Sequence, residues 1–105
     1  MTVHQILLQE IKDSEVYLSR EQEEYDYKRD LIKRIELINW VLENMKKSDV
    51  QICSLIESRM NNVVLTINQT HDIIEADKLH SELRILDWIF YQVCKDQHKK
   101  FERFI

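Results

Sequence analysis

The chain has 105 residues, 44% hydrophobic and 32% charged, with a formal net charge of -4. It is too apolar for a disordered segment and long enough for one packed domain, residues 1–105. It contains no glycine and no proline, the residues that supply positive φ and tight hairpin turns, so a β-rich fold is excluded in favour of an all-α one. Residues 1–46 carry 7 basic and 10 acidic side chains, 47–70 carry 2 and 2, and 71–105 carry 6 and 7. No segment is a polycation, which disfavours nucleic acid or an anionic membrane as the partner.

In chain order, Val3, Leu7, Ile11, Ser14 and Leu18 recur at helical spacing and predict a first amphipathic helix. The charged stretch SREQEEYDYKRD follows without a helix breaker, although Ser19 and Gln22 have the spacing of a capping box. We therefore expect a first helix that runs on from about residue 3 to 46. The second stretch covers about Tyr27 to Lys46 and ends at KKSD, where Ser48 and Gln51 again have capping-box spacing. Ile52, Leu55, Ile56, Met60, Val63 and Ile67 share one face of the next helix, which should stop near NQTHD. Asp72 with Glu75 then caps a last helix that runs into the C-terminus. The expected fold is an elongated antiparallel bundle of three to four helices without a sheet.

Two segments share a pattern: LIKRIELINWVLENM from Leu31 and LHSELRILDWIFYQV from Leu79. At about 100° per residue, Leu31, Ile35, Ile38, Leu42 and Met45 form one stripe, and Leu79, Leu83, Leu86, Phe90 and Val93 form the other. Leu37 and Val41, or Ile85 and Ile89, widen each apolar arc, and Trp40 or Trp88 lies opposite the stripe centre. Such arcs are wider than one short chain is expected to cover, so Trp40, Leu37, Val41, Trp88, Ile85 and Ile89 are the expected partner-binding residues, with Trp as the anchor type. Glu21, Glu23 and Glu24 would supply an acidic rim suited to a basic partner surface.

Chemical signatures are sparse. His71, Asp72, Glu75, Asp77, His80 and Glu82 crowd one segment, but di-metal bundles need inward Glu-x-x-His motifs on two helices, and a solvated face of charge pairs accounts for the same residues. Without glycine there is no phosphate-cradling loop and no nucleophile elbow. We expect no catalytic residues, no metal, no cofactor and no small-molecule substrate. Cys53 and Cys94 read as small core thiols of a reducing compartment. MTVHQILLQEIK lacks the basic start of a leader, and no apolar run reaches the length of a membrane span. These features predict a soluble, cytoplasmic protein, in which the sequon Asn68-Gln69-Thr70 has no role. The tail Lys95, Lys99, Lys100 and Arg103 against Asp96 and Glu102 suits the end of a helix.

The function expected from these features is protein–protein interaction by burial of apolar helix faces, as in an adaptor, chaperone, inhibitor or immunity-type regulator, with homodimerisation the expected form. The alternative is a helix-turn-helix regulator. Its recognition helix would begin near Asp72 and present Asp72, Glu75, Asp77 and Glu82 to phosphates, an unfavourable arrangement.

Overall fold

The computed structural model of the chain describes residues 2–20 and 25–95, the side chains of 25 and 26 aside. They form four helices, α1 (Val3–Arg20), α2 (Tyr25–Met45), α3 (Ile52–Gln69) and α4 (Ile73–Val93), and no strand occurs among the described residues. The protein is all-α, as the missing turn formers require. No described residue adopts a positive φ, and the connection from α3 to α4 is built from extended backbone at Thr70 and Asp72 and from their side-chain hydrogen bonds instead of a left-handed turn. No helix is long and apolar enough to cross a membrane among the described residues. The chain divides into two compact units, Met1–Ser48 and Asp49–Ile105.

In the first unit α1 packs against α2. Glu10 in the middle of α1 accepts a 2.9 Å hydrogen bond from Arg34 of α2. Further along α1, Tyr17 shares a cleft with Tyr27 near the start of α2, so the two helices run antiparallel. A single helix from about residue 3 to 46 is therefore replaced by a hairpin. The reason is burial: folding back lets the Leu7 stripe cover apolar surface, which propensity along a charged stretch cannot reveal. Gln22 and the acidic rim Glu21, Glu23 and Glu24 lie outside the described residues, and Ser19 donates its hydroxyl to the Val16 carbonyl. Ser14 is buried in the same stripe as Leu7, a small side chain beside Leu31 and Arg34. At the start of α1, Thr2 and Gln5 make a reciprocal capping box of 3.1 and 2.9 Å.

In the second unit α3 packs against α4. Arg59 reaches Glu82 at 3.0 Å, with the Glu82 side chain mostly covered. Cys53 and Cys94 are joined in a disulfide with Cα atoms 5.9 Å apart, which ties the start of α3 to the end of α4 and makes the pair antiparallel. This corrects the reading of two isolated thiols: 41 residues separate them in sequence, and only the hairpin brings them together. Thr70 donates its hydroxyl to the Thr66 carbonyl at 2.6 Å and its backbone N–H to Ile67 O, closing α3 without glycine. The N-cap of α3 is Gln51, with no side-chain cap bond, so Ser48 does not cap it as expected.

Each unit buries apolar side chains, mostly aliphatic, with Met60 and Phe90 in the second. Leu31, Leu37, Ile38, Val41 and Leu42 of α2 are buried, and so are Ile56, Met60 and Val63 of α3 and Leu83, Ile85, Leu86, Ile89 and Phe90 of α4. Each of the larger ones stabilises the fold by about 1.5–3 kcal/mol relative to exposure. Met45, placed in the core stripe by its spacing, is exposed because α2 ends there.

Candidate interaction surface at the α3–α4 tip

The six residues expected to bind a partner do not form one exposed surface. Leu37, Val41, Ile85 and Ile89 are between 0% and 3% exposed, so the chain itself covers the arcs that looked too wide. They are core residues. Trp40 and Trp88 are half-buried, and the Trp40 carbonyl accepts a 2.8 Å bond from the Asn44 amide. The apolar arc of α4 is wide because the helix is buried on more than one face, over Ser81, Leu83, Ile85, Leu86, Ile89 and Phe90, roughly 200° at 100° per residue.

The most exposed of the large apolar side chains lie elsewhere. Ile73 is 86% exposed and Ile74 66%, the two highest values among the exposed large hydrophobic residues. Both open α4, and local rules put them outside. Asp72, the N-cap, has extended backbone at φ -85° and ψ 120°, and its Oδ1 accepts hydrogen bonds from Ile74 N at 2.9 Å and Glu75 N at 3.4 Å. Its carbonyl accepts from Ala76 N, which starts the helix. Side chains on a helix lean back over the preceding turn, and the first two helical residues have no preceding turn to cover. Ile73 and Ile74 therefore project from the end of the hairpin, on a backbone held by the cap and by the Thr70 closure of α3. Around them His71, Asp72, Glu75, Asp77 and Lys78 are all exposed, an acidic rim with one lysine.

The remaining surfaces are less distinctive. A depression of about 320 Å³ on α2 is lined by Lys28, Arg29, Ile32, Lys33 and Glu36. Its cations are partly matched locally, Arg29 with Asp30 and Lys33 with Glu36, both at 3.3 Å. Beside α1, the cleft holding Tyr17 and Tyr27 contains the Arg34–Glu10 pair, and a third depression on α4 joins His80, Leu83, Arg84 and Asp87. No three His, Cys, Asp or Glu side chains converge in a metal-holding group among the described residues. The basic tail beyond Lys95 lies outside the described residues; Lys95 itself stands 5.7 Å over the Tyr91 ring. Comparison with family models, with curated proteins and with solved structures finds no match to this chain.

Proposed function

We propose that the protein is a binding module whose contact is the α3–α4 tip: Ile73 and Ile74 enter an apolar groove of another protein, and Asp72 and Glu75 meet basic residues at its edge. The observation that carries this reading is the exposure of two adjacent isoleucines, Ile73 at 86% and Ile74 at 66%, on a backbone fixed by a cap. Leaving each in water forgoes about 1.5–3 kcal/mol of burial, which a partner can recover. This moves the contact from the Trp40 and Trp88 faces to the hairpin end while keeping protein–protein interaction as the activity. Catalysis, a cofactor and a small-molecule substrate have no part in it.

Charge favours a different protein over a second copy as occupant. Residues 71–78 contain Asp72, Glu75 and Asp77 against Lys78, so two tips brought together would place like charges at close range, and a basic groove edge would not. The homodimer reading drew on apolar arcs that the chain covers itself. The DNA-binding alternative gains nothing from an acidic α4 start. A cytoplasmic setting, inferred in part from free thiols, loses that part of its support now that Cys53 and Cys94 are bonded.

The test is quantitative co-purification from cells that naturally express the chain, comparing wild type with Ile73→Ser/Ile74→Ser. The expected result is at least a tenfold loss of the enriched partner with an unchanged melting temperature. Equal enrichment with both chains would contradict the proposal.

A further inference from the structure

We propose that the Cys53–Cys94 bond is a redox-sensitive clamp, reducible in the folded protein by a small dithiol, which couples the pairing of α3 with α4 to the thiol poise around the chain. This inference does not depend on what the tip binds. Its first support is position. The two ends of the α3–α4 hairpin are held by different means: at the tip, Asp72 caps α4 and the Thr70 hydroxyl closes α3. At the open end, Gln51 gives α3 no side-chain cap and the last turn of α4 has no basic residue. The covalent bond ties that end. It also closes a loop spanning 41 positions, a length at which cross-linking removes much of the unfolded chain's freedom.

The second support is access. Cys94 is 5% exposed, whereas Cys53 is half-buried, so a reductant in solution reaches the bond from the Cys53 side. Its thiolate attacks Cys53 Sγ, a new S–S bond forms between reductant and Cys53, and Cys94 leaves as a thiolate that takes a proton. The second thiol of the reductant then attacks its own sulfur in the mixed disulfide and releases Cys53. The dithiol is oxidised to a disulfide, giving up two electrons and two protons, and the protein gains two thiols. The same bond reforms with a disulfide oxidant by the reverse steps. A reducing compartment thus loosens the hairpin and an oxidising one clamps it.

The experiment follows reduction of the intact chain by dithiothreitol without denaturant, with thiol release and thermal melting as readouts. The expected reduction rate is proportional to dithiothreitol concentration, and the reduced chain should show a folded-to-unfolded ratio lower by about 10³-fold, the chain-entropy expectation for a loop of this size. The variants Cys94→Ser and Cys53→Ser check the access argument: the remaining Cys53 thiol should alkylate at least tenfold faster than the remaining Cys94 thiol. Reduction that proceeds only in denaturant, a melt unchanged by reduction, or equal alkylation rates would overturn the proposal.

Discussion

Asp72 shows how one side chain sets up a surface. It is exposed and buries nothing, yet its Oδ1 satisfies two backbone donors that would otherwise open α4 unpaired. Asp72→Ala should cost about 1 kcal/mol, read as a lowered urea midpoint at unchanged slope. The isoleucines beside it should behave differently from core residues of the same helix. Leu86 is fully buried, so Leu86→Ala should lose about 2–5 kcal/mol, whereas Ile73→Ser/Ile74→Ser should stay within about 0.5 kcal/mol per site. Chemical denaturation of the three variants checks the ordering. If the double variant is as unstable as Leu86→Ala, the tip is part of the core and not a free surface.

At the scale of the elements, sequence periodicity told the true story about helix existence and most of the core, because 3.6-residue spacing reflects burial directly. Ile38, Leu42, Leu86 and Phe90 were legible in that way. The reversal between α1 and α2 was not, since the SREQEEYDYKRD stretch lacks the glycine or proline that usually announces a turn. The disulfide was hidden because its partners are distant in sequence, and the tip because periodicity cannot tell an apolar pair at a helix start from a buried one. Only the position of Asp72, directly before the pair, held the signal. Trp88 tests the same lesson on α4. It is half-buried, so Trp88→Ala should destabilise the chain by more than about 1 kcal/mol; an unchanged denaturation midpoint would return the tryptophan to the role of an uncovered anchor.

On the scale of the whole molecule, the wide apolar arcs are buried without help from a second chain, Leu37 and Val41 in the first unit and Ile85 and Ile89 in the second. The free chain should therefore have a monomeric mass by light scattering at micromolar concentration. A dimeric mass that persists in the Ile73→Ser/Ile74→Ser variant would point to a self-association surface away from the tip. The account as a whole rests on the tip as the place of contact, and site-specific photo-crosslinking in cells that naturally express the protein examines it most directly. A benzophenone amino acid is placed at position 73 or, as a control, at exposed position 61 on α3. The account predicts one discrete adduct of higher mass from position 73 and none from position 61. No adduct from position 73, or the same adducts from both positions, would contradict it.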